Sequence, residues 1–224
     1  MYQHQWQDGS SVDWVPGKVV CVGRNYADHA RELNNPVPTE PILFIKPATA
    51  MVAAAEPFSI PADRGVVHFE TEMALLIGKT LSDADEDESL AAIAGVGLGF
   101  DITLRELQDK LKAKSHPWEV AKAFDGSCPL SAFAPVSEPL DWANIAIQMS
   151  CNGQLRQDGN SEAMITPVAR LLAYTSRIFT LQPGDVVMTG TPAGVGPLQA
   201  GDKLQATLSC QGQTLVELAS SVKG

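Results

Sequence analysis

No two of the four cysteines, Cys21, Cys128, Cys151 and Cys210, fall in a C-x-x-C spacing. That removes the usual signs of a zinc knuckle or a disulfide scaffold and leaves four separate thiols, buried by default. No stretch approaches the ~18 consecutive apolar residues that a membrane-spanning helix needs. The start, MYQHQWQDGSS, lacks the basic cluster and apolar run of a secretory signal, so a cytoplasmic protein is expected. Positive charge is scarce too: 16 basic residues stand against 26 acidic ones, for a net charge of −10. Such a field opposes phosphate backbones and anionic membranes, and neither nucleic acid nor membrane is expected as a partner. Glycines alternate in IAGVGLGFD, but the G-x-G-x-x-G spacing of a dinucleotide loop is missing.

What is present suffices for one well-cored domain over 1–224, with 45% of the residues hydrophobic. Its most unusual stretch is Val66 to Lys79, VVHFETEMALLIGK, where two carboxylates interrupt an apolar strand. Side chains at every second position share a strand face, so His68, Glu70, Glu72, Ala74 and Leu76 point one way. Phe69, Thr71, Met73, Leu75 and Ile77 point the other way and read as core. Two acidic side chains roughly 6.5 to 7 Å apart at Cα repel and lose hydration on a half-buried strand unless a cation lies between them. An oxygen-ligand site for a hard divalent ion resolves the conflict. A solvated acidic edge strand is the plainer alternative.

Upstream, the strand-like GKVVCVG opens into RNYADHAREL, where Asn25 and Asp28 are cap candidates for a short helix. That helix places His29 and Glu32 at i and i+3 on one face, and a carboxylate beside an imidazole orients the ring for general-base work. The Pro- and Asn-rich NNPVPTEP that follows reads as a mobile cover, and ILFIKP as an apolar strand ending in Lys46. Downstream, the acidic run Ser82 to Glu88 opens a helix through Ile93, and IAGVGLGFD reads as a tightly approached strand presenting Asp101. Thr103-Leu-Arg-Glu106 is a capping-box pattern opening a helix through Leu111, with Arg105 and Gln108 at i and i+3. Lys122 sits in an apolar setting between Trp118 and Phe124, as a snorkelling surface residue or as a charge stabiliser beside the carboxylates.

In the C-terminal half, Ile145 to Cys151 and Gln154 to Arg156 flank Asn152-Gly153, a strong hairpin signal. Thr166-Pro167 begins an amphipathic helix whose core stripe is Val168, Leu171, Leu172 and Thr175. GDVVMTG, GDKLQATL and TLVELA are strand-like. Between them, Gly190 to Gly194 is either a turn or a source of amides and the Thr191 hydroxyl for a substrate carboxylate.

Taken together, GRNYADHAREL, FETEMALLIGK, FDITLRELQ, PWEVAKAFD, NGQLRQDGN and PGDVVMTGTPAGVGP resemble the fumarylacetoacetate hydrolase superfamily over nearly the whole length. Within it the chain is similar to the short, single-domain acylpyruvase and fumarylpyruvate hydrolase type. The resemblance implies an α+β, mostly β fold: a mixed β-sandwich-like roll of that superfamily's C-terminal-domain type with short helices, commonly a homodimer. It implies that Glu70, Glu72 and Asp101 bind Mg²⁺ or Mn²⁺, with Ca²⁺ as a further oxygen-liganded option. It also implies that His29 and Glu32 form a catalytic dyad on a lid, that Lys122 contacts the substrate, and that Arg24, Arg105, Gln108 and Thr191 hold substrate oxygens. His68 corresponds to no ligand. Leu104, where many relatives have a smaller residue, and AKSH before PWEVAK depart from the pattern and bear on pocket shape and substrate range.

The activity so implied is metal-dependent hydrolysis of a C–C bond in a 3-acylpyruvate, a small 2-oxo acid such as fumarylpyruvate or acetylpyruvate. Glu32 orients His29, which takes a proton from the attacking water, and the departing pyruvate enolate is stabilised by the cation and Lys122. The same enolate serves an oxaloacetate decarboxylase or tautomerase, or an isomerase of the 2-hydroxyhepta-2,4-diene-1,7-dioate type. A catalytically silent Ca²⁺-binding β-domain is the non-enzymatic alternative.

Overall fold

Aliphatic and β-branched runs bounded by Gly and Pro become strands along most of the chain in the computed structural model, which describes residues 2–224. In order, β1 (Val19–Gly23) leads through helix α1 (Ala27–Glu32) to β2 (Ile42–Lys46), β3 (Met51–Ala53), β4 (Val67–Phe69) and β5 (Thr71–Ile77). Helix α2 (Glu86–Ala91) precedes β6 (Ile93–Phe100) and β7 (Thr103–Leu104); α3 (Arg105–Ala113), α4 (Glu119–Lys122), β8 (Cys128–Leu130) and β9 (Ala134–Pro135) follow. Then come the hairpin of β10 (Ile145–Cys151) and β11 (Gln154–Asn160), helix α5 (Val168–Ile178), β12 (Val186–Met188), β13 (Gly196–Pro197), β14 (Lys203–Cys210) and β15 (Gln213–Ser221).

The largest sheet runs β2-β1-β12-β5-β6-β8-β3, with β9 also on β6. It is mixed: β1 lies parallel to β12 and β3 to β8, while the remaining pairs are antiparallel. A second, antiparallel sheet, β11-β10-β14-β15, turns Ile145, Ile147, Met149, Leu204, Leu208 and Val216 into the core it shares with Met73, Leu75, Leu98 and Phe100 of the first. On the other face of the first sheet, Ala74 and Leu76 pack with Val19, Cys21, Met188 and Phe133. The mostly β, sandwich-like roll with short helices is therefore as expected. No helix among the described residues is long and apolar enough to cross a membrane, and all four cysteines are free and buried.

Several local expectations change. The stretch from Val66 to Lys79 is two strands, broken at Glu70, because β4 pairs with β7 and β13 in a small third sheet while β5 enters the large one. Alternation survives the break, but β5 is buried on both faces, which is why TEMALLI is nearly continuously apolar. Helix α2 ends at Ala91, and Ile93 opens β6. Thr103 does not cap α3: it pairs with His68 across β4 and β7, and its hydroxyl donates to the Asp101 carbonyl at 3.0 Å. Neither Asn25 nor Asp28 caps α1, where Tyr26 holds the cap position. Asn25 is engaged elsewhere, donating to the Thr166 and Thr189 carbonyls and accepting from the Thr166 amide. That clamp also occupies Thr166, so Pro167 takes the N-cap of α5. β11 continues past Arg156 to Asn160.

Candidate active site

The antiparallel register of β5 and β6 sets Glu72 opposite Gly99 and Thr71 opposite Phe100, so the residue after β6, Asp101, arrives beside Glu70. The Asp101 amide donates to the Glu70 carbonyl at 2.8 Å and fixes that corner. Carboxylate oxygens of Glu70, Glu72 and Asp101 consequently lie within 4.8 Å of one another, on side chains that are all buried. The glycine at 99 lets the Met188 side chain pack against the strand: a Cβ there would sit 2.5 Å from Met188 Sδ and force that side chain to shift.

Three buried cations meet this corner. Lys122 Nζ lies 2.8 Å from Glu70 Oε2 and 2.5 Å from Asp101 Oδ2, Arg105 pairs with Glu70 Oε1, and Lys46 Nζ lies 2.8 Å from Asp101 Oδ1. Burial alone would raise the Glu70 carboxyl, but Lys122 and Arg105 hold it well below the usual carboxylate range. Burial would likewise lower Lys122, yet Asp101 and Glu70 outweigh it and keep the ammonium charged. Glu72 differs. Burial, then Asp101 and Glu70, push its carboxyl well above the usual range, against one backbone donor, the Gly190 amide at 2.7 Å. Gly190 adopts φ 95° to present that amide, a conformation natural to glycine.

A fully buried carboxylate with a neutral donor and two acidic neighbours is one whose surroundings invite a cation. The all-oxygen donor set fits a hard divalent ion such as Mg²⁺ or Mn²⁺. Glu70, Glu72 and Asp101 would hold it.

The other expected residues gather around the same cleft, which His29, Arg24, Arg105, Gln108, Lys122 and Thr191 help to line. In α1, His29 Nδ1 lies 3.3 Å from Glu32 Oε2, which leaves the second ring nitrogen for the cleft. Burial lowers the His29 pKa, only partly offset by Glu70 and Glu32, so the imidazole is neutral at neutral pH. Glu32 is tied down in turn by the Gly194 amide, at 3.0 and 3.2 Å from its two oxygens. Arg24 follows β1 in a left-handed conformation, φ 61°, that turns the chain from strand toward α1. Gln108 Oε1 accepts from Arg105 at 2.7 Å. Thr191 is in the lining, but its hydroxyl already donates to the Thr71 carbonyl at 2.9 Å and accepts from Gln157 at 2.7 Å. Its hydroxyl hydrogen is therefore committed to the scaffold. His68 is not among the lining residues.

Two basic residues were not singled out from sequence. Lys46, fully buried, also donates to the Lys122 and Ser127 carbonyls, and so ties one acidic side chain to the backbone of a neighbouring lysine. Its signal was a lysine closing an apolar strand, where a charge must find a partner. Lys112 lines the cleft four residues beyond Gln108, a helical spacing that put it on the same face.

Residues 18–223 match the family described as fumarylacetoacetate (FAA) hydrolase, C-terminal. The chain is 52% identical over 208 residues to the Escherichia coli (strain K12) protein named oxaloacetate tautomerase YcgM, covering 92% of this chain and 95% of that one. To the mitochondrial oxaloacetate tautomerase FAHD1 of Bos taurus it is 43% identical over 194 residues, 86% and 88% of the two chains. Among solved structures, the fumarylpyruvate hydrolase of Pseudomonas aeruginosa, in complex with Mn²⁺ and pyruvate, matches with a TM-score of 0.90 at 34% identity, covering 99% of this chain and 95% of that one. With its fold, its carboxylate corner and these likenesses, this chain belongs to the fumarylacetoacetate hydrolase family.

Proposed function

We propose that this chain interconverts the keto and enol forms of oxaloacetate, using a divalent cation, Mg²⁺ or Mn²⁺, held by Glu70, Glu72 and Asp101. The observation that carries the proposal is a neutral, buried imidazole, oriented by Glu32, facing a three-carboxylate corner that already contains two ammonium groups and a guanidinium. The relatives named oxaloacetate tautomerase support the choice of substrate. A bound divalent ion supplies Lewis-acid polarisation of the 2-oxo acid.

His29 takes the proton from C3. The C–H electron pair becomes the C2–C3 double bond, the carbonyl π pair moves onto the 2-oxo oxygen, and that oxygen collects a proton, so the product is an isomer. Glu32 holds the ring and stabilises the transient imidazolium. The Lys122 ammonium, kept charged by its carboxylate neighbours, stabilises the negative charge that develops on the 2-oxo oxygen. Arg105 and Gln108 orient the substrate from α3.

C–C hydrolysis of a 3-acylpyruvate takes second place. It was the leading expectation from sequence, and the Mn²⁺- and pyruvate-bound fumarylpyruvate hydrolase favours it. In that reaction His29 takes its proton from water. Decarboxylation of oxaloacetate passes through the same charge distribution and is the third outcome to measure. The experiment is to follow enol-oxaloacetate absorbance with purified protein and Mg²⁺ or Mn²⁺, in parallel with pyruvate release from oxaloacetate, fumarylpyruvate and acetylpyruvate. Faster keto–enol exchange than in protein-free buffer is expected. Acylpyruvate cleavage without such exchange would replace the proposal by the hydrolase.

A further inference from the structure

We infer that Lys112 is a specificity residue that reads a second, distal carboxylate on the substrate, so that the cleft selects 2-oxo dicarboxylates over 2-oxo monocarboxylates. The inference rests on the 2-oxo acid chemistry proposed above and adds the residue that chooses among such acids.

Arg105, Gln108 and Lys112 fall at i, i+3 and i+7 of α3, one stripe of the helix, and all three line the cleft. From Arg105 to Lys112 the stripe advances about 10 Å along the helix axis. At its inner end Arg105 already has a carboxylate partner in Glu70. The inner lysines have carboxylate partners as well, Lys122 in Glu70 and Asp101 and Lys46 in Asp101. Lys112, at the outer end, has no comparable partner among the described residues. Its nearest carboxylate, Asp109 Oδ1, is 3.9 Å away on a side chain that is 64% exposed, whereas the Lys112 side chain is only 20% exposed. The ammonium lies 5.5 Å from the Trp118 ring centroid, and Trp118 also lines the cleft. Indole and ammonium together make a cationic wall with an apolar backing.

The surroundings add to this imbalance. Burial, then Arg105, with Arg24 and Lys122 contributing, lower the Lys112 pKa to about 8 against the opposing pull of Asp109. A half-buried lysine facing other cations, one of them the partly buried Arg24 of the same cleft, is electrostatically unsatisfied until an anion arrives. The carboxylate corner handles the 2-oxo acid end. A carboxylate at the other end of a short substrate meets Lys112, in a charge-assisted hydrogen bond of the kind that discriminates strongly because its loss leaves a buried charge unpaired.

The test compares oxaloacetate with its 4-methyl ester, the same 2-oxo acid with a neutral distal end, in wild type, K112M and K112R at saturating Mg²⁺. K112M is expected to lose about 10- to 100-fold in kcat/KM for oxaloacetate, mainly through KM, with a change of less than about 3-fold for the ester; K112R should restore most of the preference. A second readout needs no turnover: calorimetric affinity for malate against 2-hydroxybutyrate, which differ in the distal carboxylate. Wild type should favour malate, and K112M should lose that preference. An unchanged oxaloacetate-to-ester ratio in K112M, or equal binding of malate and 2-hydroxybutyrate by wild type, would overturn the inference. A malate preference that depends on Lys112, in a protein that turns over no oxaloacetate, would uphold it and reject the proposed reaction instead.

Discussion

The carboxylate corner and the α1 lid both carry charged residues, but they hold them by opposite means. Glu70, Glu72, Asp101, Lys46 and Lys122 are almost fully buried at strand ends and in a short helix packed on them, each cation matched to a named carboxylate oxygen. His29 and Glu32 stand on a six-residue helix without a side-chain cap, followed by a largely exposed connector, and Glu32 reaches the scaffold through the Gly194 amide. In the corner, position is set by buried ion pairs; on α1, Glu32 is held by one exposed hydrogen-bonded contact, to the Gly194 amide. Under the proposed function, this division would keep a cation in place and still let substrate pass.

The largest effect should come from removing a corner carboxylate. Asp101→Ala is expected to abolish activity and weaken cation binding, and also to destabilise the fold. It strips partners from Lys46 and Lys122, both buried, and leaving a buried charge unpaired costs about 3–5 kcal/mol. Urea unfolding without added metal measures that cost, and calorimetric titration with Mn²⁺ measures the site. Wild-type stability in the variant would mean the corner is not held by its ion pairs.

The dyad should behave differently. His29→Ala or Glu32→Gln should slow oxaloacetate tautomerisation by about 10²- to 10⁴-fold, the usual contribution of a general base. Mn²⁺ affinity and urea stability should stay near wild type, since neither side chain belongs to the cation-holding set. The ratio of decarboxylation to tautomerisation sharpens the test, because loss of CO₂ needs no proton taken from C3 and should fall less. Equal losses in both would place the dyad in lid closure and not in proton transfer.

How much of this contrast was legible in the sequence follows from where each constraint resides. Short-range patterns were readable: alternation put Glu70 and Glu72 on one face, helical spacing joined His29 to Glu32 and Arg105 to Gln108, and Asn152-Gly153 made its hairpin. Contacts between distant segments were not. The break at Glu70 exists because two sheets meet there, and Lys46 is buried because Asp101 and the Lys122 carbonyl arrive from elsewhere. The capping patterns at Thr103 and Thr166 gave way to long-range partners: Thr103 pairs with His68 across β4 and β7, and the Thr166 amide donates to the Asn25 side chain. Local signals predict what a segment can do; a competing long-range partner decides whether it does so.

A smaller effect should appear in amide exchange. Residues 27–40 are expected to exchange faster than β5 and β6, and to gain protection with Mg²⁺ and oxalate, a nonreactive anion of the 2-oxo acid type. Glu32→Gln weakens the acceptor for the Gly194 amide and should raise lid exchange in the ligand-free protein while leaving β5 and β6 unaffected. Protection over residues 27–40 equal to that of β5 before ligand is added would contradict the lid role expected for α1.

The smallest effect separates two buried histidines that look alike in charge but not in role. His29 faces the cleft, whereas His4 lies far along the chain from it, fully buried, with Nε2 3.0 Å from the Gly184 carbonyl and Nδ1 3.3 Å from the Tyr2 hydroxyl. Burial lowers the pKa of both below the ordinary value of 6.5; for His4 the Gly184 carbonyl and Asp185 pull the other way and lose. When the folded-state pKa is depressed, the unfolded chain binds the proton first as pH falls. The stabilisation is therefore complete above about 6.5 and is lost as pH falls through the folded value. In urea unfolding from pH 8 to pH 5, His4→Gln should flatten part of the acid-side decline, because a glutamine can still donate to Gly184 and takes up no proton. Tautomerase activity at pH 8 should change little, since His4 touches no cleft residue named above. A decline as steep in His4→Gln as in wild type would show that His4 takes up its proton equally in the folded and unfolded states, and would leave His29 and the corner carboxylates to account for the acid sensitivity.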